Sequence, residues 1–136
     1  MSGERGQVTV LALGLALVAF AVAGLATDGT RAFLLRRTLQ NAADSAALAG
    51  ASELDTDLYY SSGGRETVLD PARARVVALE WLGRRDLTAR PAIAATPTEV
   101  SVSLRDELRT AFLGLVGIDR IPVAVIATAR PFEGSA

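Results

Sequence analysis

The sequence has no cysteine and no histidine, and its fourteen basic residues are all arginine. Without cysteine the fold can hold neither a disulfide nor a thiolate metal site, and without histidine it lacks the commonest metal ligand and general base. The net charge of −1 gives no strong overall field to attract nucleic acid or an acidic substrate. We therefore predict no enzyme activity, catalytic residue, cofactor or metal, and no nucleic acid or small-molecule substrate as a partner.

Charge is also absent from residues 6–27, GQVTVLALGLALVAFAVAGLAT. About 20 predominantly apolar residues are enough for a helix to cross the hydrocarbon core of a bilayer. The apolar residues here occupy every side of the helix, which is wrong for an amphipathic helix of a soluble protein. The stretch predicts a leader over residues 1–6 and a transmembrane helix over residues 7–28.

Two alternatives to a permanent membrane helix remain open. A cleaved secretory signal would use Arg5 as its charged end and Ala21-Val22-Ala23 as a small-residue cleavage site, and it would release a secreted binding protein. A buried helix in a soluble protein is the other, although a chain of 136 residues offers little core around such a helix.

Asp28 and Arg31 stand at the end of the apolar stretch. Three residues apart on a helix, they can form a surface ion pair, which is worth roughly a few tenths of a kcal/mol when exposed. The sharper hypothesis is that Asp28 lies at the lipid boundary and fixes the depth of the helix.

Helical character continues through residues 29–51, a projecting helix without proline. Its apolar and small residues recur with the spacing of a heptad seam and form the expected helix-packing interface: Leu35, Leu39, Ala42, Ala46 and Ala49. An alanine face buries little area, so it holds a helix only where the neighbour packs tightly. That neighbour is the chain's own head or other subunits of a filament, and the two can both hold along different parts of the helix.

The remaining chain predicts a loop over residues 52–69 and a small head over residues 70–136. Asp55-x-Asp57 reads as solvated loop rather than half of a calcium site, because the rest of such a loop is missing. Asp70 and Pro71 are suited to begin a helix that Gly83 ends, with Trp81 as a core anchor.

Strands are expected beyond this helix, in an antiparallel sheet. Residues 87–98 read as an edge strand, 99–104 as a half-buried strand, 106–116 as a short helix and 121–129 as a strand buried on both faces, before a polar tail over 131–136. The expected core of the head is Leu79, Trp81, Leu82, Val100, Val102, Leu104, Phe112, Leu115, Ile121, Val123, Val125 and Ile126.

Several strings resemble the N-terminal region of TadE/TadG-like proteins, pilin-like components of the tight-adherence, or Flp-type, pilus system. They are R-G-Q at 5–7, D-G-T-R at 28–31 and, most specifically, L-Q-N-A-A-D-S-A-A-L-A-G-A at 39–51. The resemblance implies an α+β, pilin-like fold, with a long N-terminal transmembrane helix and a small head of one or two helices and an antiparallel sheet.

The same resemblance implies a membrane-anchored component of a Tad/Flp-type pilus or related secretion system. Its partners would be membrane lipid and other pilins or pilus-assembly proteins, in the inner membrane with the head outside the cytoplasm or in a surface pilus. Pilin-type processing would cut between Gly6 and Gln7, although residues 8–27 lack the acidic residue that processed members often carry. The positive-inside rule predicts the opposite orientation, with the C-terminal part in the cytoplasm. One arginine, Arg5, precedes the span, whereas three follow it: Arg31, Arg36 and Arg37.

Overall fold

The computed structural model describes residues 3–132, with side chains from residue 6 onward. It contains one long helix, α1 (Gly3–Gly50), two shorter ones, α2 (Thr56–Ser61) and α3 (Pro71–Gly83), and a 3-10 helix at Leu113–Val116. Three strands, β1 (Arg90–Ala95), β2 (Val100–Arg109) and β3 (Arg120–Ala129), form an antiparallel sheet in the order β1-β2-β3. The predicted α+β fold with a long apolar N-terminal helix is confirmed.

The chain divides into two compact units. Unit 1 consists of the chain up to Leu34 together with Leu108–Ile121, and unit 2 consists of Leu35–Glu107 together with the chain from Pro122 onward. α1 begins at Gly3, inside the predicted leader. Met1 and Ser2 of that leader, and residues 133–136 of the predicted tail, lie outside the described residues.

The core of unit 2 is built largely on alanine. Leu39, Ala42 and Ala46 of the predicted seam are at most 1% exposed, and Leu35 and Ala49 are partly buried. The rest of the core comes from α3 and from alternating sheet residues, chiefly Ala74, Ala78, Leu82, Val100, Val102, Leu104, Val123 and Val125. The seam therefore packs in the chain's own head, as the first of the two alternatives expects.

Small residues let the helices of unit 2 approach closely. A Cβ added at Gly50 would lie 2.8 Å from the carbonyl oxygen of Ala74, so only glycine fits there without a shift of the backbone. The Asp70 carboxylate accepts N–H bonds from Ala72 and Arg73 at 3.0 and 3.2 Å, as predicted for an N-cap of α3. α3 also ends at Gly83, the predicted residue.

Two predictions about the strands are wrong. Residues 106–109 belong to β2 rather than to a helix, and a 3-10 helix begins only at Leu113. Sheet pairing outweighs the local pattern of acids before apolar residues there. β3 is buried on one face only. Its side chains alternate between the two faces of the sheet, and only one of these faces is covered by the rest of the protein. Ile126 lies on the uncovered face and is 65% exposed.

The predicted loop and the predicted core also need correction. Residues 56–61 form α2, whose first turn is capped when the Asp55 carboxylate accepts the Leu58 N–H at 3.0 Å. Leu79 and Leu115, expected in the core, are 45% and 76% exposed. Trp81 is only partly buried, with the Arg85 guanidinium 4.0 Å above its ring. The part of the core that comes from α1 is mostly alanine.

Candidate functional site

The apolar stretch of α1 has no protein around most of its surface. Leu11, Leu15 and Leu17 are each more than 70% exposed, and Phe20 is 56% exposed. The helix is long and apolar enough to cross a membrane by length and composition. Large apolar side chains face outward along this part of the helix. Such exposure is unfavourable in water but favourable in lipid, so the helix is a candidate membrane anchor.

Asp28 is the one charged residue that is fully buried among the described residues. Its carboxylate accepts three backbone N–H bonds from a segment more than 80 residues away. Ala111 donates to Oδ1 at 2.8 Å, while Phe112 and Leu113 donate to Oδ2 at 2.9 and 2.8 Å. Bonds from N–H groups to an ionised carboxylate are short and strong, so Asp28 fixes this segment against α1.

The three donors converge because residues 110–119 turn tightly. Phe112 and Leu113 open the 3-10 helix, whose first N–H groups have no partner within the helix. Gly117 ends it with φ of +88°, a conformation that favours glycine. The Thr110 hydroxyl then donates to the Ile118 carbonyl at 2.6 Å and closes the base of the segment. We call residues 110–119 the clamp loop.

Gly24 lets the clamp loop lie directly on α1. A Cβ added at this position would come within 2.6 Å of the Phe112 Cβ, a distance that forces a rearrangement. Phe112 also meets Phe20, one turn earlier, edge to face, with ring centroids 5.6 Å apart. A small residue and an aromatic residue on one face of α1 thus complete the contact that Asp28 begins.

Arg31 adds little to this site. Its Nη1 lies 3.5 Å from Asp28 Oδ1, which is long for a hydrogen bond between charged groups, and its side chain is 46% exposed. Water screens such a contact, so the backbone donors and not the arginine hold the carboxylate. The sequence-predicted pair is therefore present, but it is secondary to a partnership that the sequence analysis did not contain.

An apolar groove of about 330 Å³ runs between the clamp loop and α1. Its walls are entirely apolar side chains: Leu17, Phe20, Ala21, Leu25, Phe112, Leu113, Leu115 and Val116. Leu115 and Val116 at its rim are 76% and 73% exposed. The groove lies beside the part of α1 predicted to span the membrane.

The other predicted site residues have plain surroundings. Gly6 and Gln7, the expected processing position, are exposed positions in the first turns of α1. Within residues 3–132, no group of three or more acidic side chains is placed to hold a metal ion. Asp55 caps α2, which gives it a structural role in the place of a calcium half-site.

The roles of Gly24 and the clamp loop were not predicted from the sequence. One signal was available, because residues 110–118, TAFLGLVGI, form a charge-free, largely apolar stretch with two glycines. Its pairing with Asp28 could not be deduced, since contacts across 83 to 85 residues leave no periodic pattern in a single sequence.

One comparison with known proteins finds a similarity over the first part of the chain. Residues 6–53 match the Tad family model, Flp pilus-assembly TadE/G-like. Searches of curated proteins and of solved structures each find no match. The matched segment coincides with nearly all of α1 and supports a component of pilus assembly that interacts with other pilus components. The match bears out the predicted resemblance to TadE/TadG-like proteins of the Flp pilus-assembly system over residues 6–53.

Proposed function

We propose that this protein is a membrane-anchored, pilin-like structural or assembly component of a Tad/Flp-type pilus or related secretion system. It works by helix packing and by forming interfaces, without catalysis. The observation that carries the proposal is the coincidence of the TadE/G-like match over residues 6–53 with a helix whose apolar part has no protein cover.

In this proposal the anchor lies in the cytoplasmic membrane and the head lies outside the cytoplasm. The family resemblance supports this orientation, and the arginine distribution opposes it. The length of the apolar stretch, which is enough for one crossing, supports a single-pass anchor. Addition of a membrane-impermeant thiol reagent to cells carrying a Ser61→Cys variant tests the orientation, because the native chain has no cysteine. Labelling of intact cells supports an outside head, and labelling only after lysis contradicts it.

Contacts with other pilus proteins must use side chains outside the buried seam. Ala42 and Ala46 have no exposed surface, so enlarging them would damage the head before it reported on a partner. Leu48 lies on the same helix and is 62% exposed. We expect Leu48→Glu to reduce co-isolation with other pilins while leaving the melting temperature unchanged, with Asp44→Glu, at an exposed position nearby, as the control.

A complementation experiment tests the function as a whole. Cells lacking the protein should lose surface pili and regain them with the full chain. A version in which a cleavable signal replaces residues 1–27 should fail, although its head is exported. Restoration of pili by that released head would support the alternative of a secreted binding protein, and unchanged piliation in the deletion strain would contradict the proposal.

The mass of the mature N-terminus separates the forms of anchoring. An intact chain supports a plain anchor, and a chain that begins at Gln7 supports pilin-type processing. A chain that begins at Gly24 supports secretion. That last cut would remove Phe20, the aromatic partner of Phe112, from the clamp-loop contact.

A further inference from the structure

The clamp loop presents apolar side chains for which unit 1 provides no cover. Leu115, Val116 and Ile118 are 76%, 73% and 49% exposed. No charged residue occurs between Arg109 and Asp119, so no charged side chain of the loop interrupts these exposed apolar residues. A loop of this composition in water is unusual, because contiguous exposed apolar side chains mark an interaction surface.

The loop is attached to the part of α1 that is predicted to lie in the membrane. Its contacts Phe20 and Gly24 precede Asp28 by eight and four residues, about 12 and 6 Å along the helix axis. Leu17 and Leu25 line the shared groove. If the stretch of α1 that ends at Thr27 lies in lipid, the clamp loop lies beside it at the depth of its last turns.

Many backbone N–H groups of the clamp loop have hydrogen-bond partners within the protein, which lowers the cost of such a depth. Irregular backbone is excluded from lipid contact unless its polar groups find partners within the protein. Asp28 accepts the N–H groups of residues 111–113, and loop carbonyls accept those of Leu115, Gly117 and Ile118. The Asp119 carbonyl accepts the Thr110 N–H at 3.0 Å.

Asp28 itself is compatible with a lipid boundary because its charge is not bare. Carboxylates within membranes are costly and are kept only where partners surround them. Here three N–H donors and Arg31 surround the group, and no part of the residue is exposed. The carboxylate therefore does two things at one place: it ends the apolar stretch of α1 and it ties down the loop.

We propose that residues 110–118 form a second lipid-contacting element, which enters the bilayer beside α1 and is held there by Asp28. The occupant of the apolar groove is then a lipid acyl chain, because the groove is continuous with the lipid-facing surface of α1 and carries no charge. This inference rests on the proposed membrane anchoring by α1.

Depth-dependent quenching tests the proposal on the full chain. The protein lacks cysteine, so single cysteines at Leu17, Leu115, Val116 and Ser61 can each carry an environment-sensitive fluorophore without further changes. Leu17, Leu115 and Val116 are more than 70% exposed, and their replacement leaves no cavity. The labelled chains are reconstituted in phosphatidylcholine vesicles with and without acyl-chain nitroxide lipid.

The labels at Leu17, Leu115 and Val116 should all show blue-shifted emission and lose fluorescence to the nitroxide lipid, whereas the label at Ser61 should not. If Leu17 is quenched while both loop labels report water, the anchor stands and the lipid proposal is wrong. The loop would then be a surface for a protein partner such as another pilin or a second copy. If Leu17 is itself unquenched, the membrane anchoring fails, and the inference fails with it.

Asp28→Asn tests whether the carboxylate holds the loop. The amide nitrogen cannot accept a hydrogen bond, so part of the set of N–H bonds is lost. We expect quenching of the Leu115 label to fall while that of Leu17 is retained. Asp44→Asn, at an exposed position on α1, is the matched control. Equal quenching at Leu115 in both variants would overturn the holding role of Asp28.

Discussion

The two units of this protein bury opposite kinds of side chain. Unit 2 buries alanine, valine and leucine, and leaves its charged residues outside. Unit 1 buries Gly24 and the carboxylate of Asp28, and leaves leucine, valine and phenylalanine outside. The first arrangement minimises free energy in water, and the second is reasonable where the surroundings are apolar. This contrast is the one expected if the proposed membrane anchoring places unit 1 beside lipid and unit 2 in water.

Removing a side chain from the core of unit 2 should produce the largest effect. Leu39→Ala deletes a leucine that is 1% exposed and should lower the free energy of unfolding by about 2–5 kcal/mol. Leu48→Ala removes the same group from an exposed position of the same helix and should change it little. Denaturant titration of the detergent-solubilised chain compares the two. Equal losses of unfolding free energy in the two variants would contradict the conclusion that this face of α1 packs in the hydrophobic core of unit 2.

Adding one methyl group to α1 should break the contact of unit 1. Gly24→Ala places a Cβ where Phe112 lies, and overpacking of this kind costs about 1–3 kcal/mol. Gly14→Ala adds the same methyl group to the apolar stretch where nothing lies within 4 Å. Amide hydrogen exchange at Ala111 to Leu113 should accelerate in the first variant and not in the second. Unchanged exchange in both would show that the clamp loop does not depend on close packing at Gly24.

Features with a local cause could be predicted from the sequence. Composition alone indicates the apolar stretch, and Asp70 with Pro71 indicates the start of α3. The seam from Leu35 to Ala49 is visible as a heptad spacing, although the spacing could not say whether the neighbour is the chain's own head.

Features decided by distant contacts could not be predicted. Residues 106–109 look like the start of a helix, yet strand pairing places them in β2. Ile126 looks like a core residue because residues 121–127 are all apolar, but the sheet is covered on one side only. The bonds from the clamp loop to Asp28 join residues more than 80 positions apart, and a lone aspartate at the end of a membrane stretch has the same sequence whether it is exposed or buried.

Trp81 provides a test of how far the core of unit 2 extends. The sequence predicts a core anchor at this position, for which truncation would cost about 3–5 kcal/mol. In the structure it is partly buried and covered by Arg85, so we expect Trp81→Ala to cost about 1–2 kcal/mol. Thermal melts of Trp81→Ala and Arg85→Ala compare how much the ring and the guanidinium above it each stabilise the protein. The arginine variant should lose less stability. A loss as large as that of Leu39→Ala would mean that the ring belongs to the core.

The smallest expected effect concerns the segment before α3. The Asp55 carboxylate caps α2 through the Leu58 N–H, and loss of an N-cap costs about 1 kcal/mol. Asp57 lies in the first turn and is exposed. Its removal should therefore lower the free energy of unfolding by only about a few tenths of a kcal/mol, the strength of a weak helix-dipole contact. Asp55→Ala should therefore lower the melting temperature more than Asp57→Ala, and added calcium should raise neither value. If instead calcium stabilises the native chain and both substitutions abolish that gain equally, the two aspartates act as cation ligands and the capping role of Asp55 is not its main one.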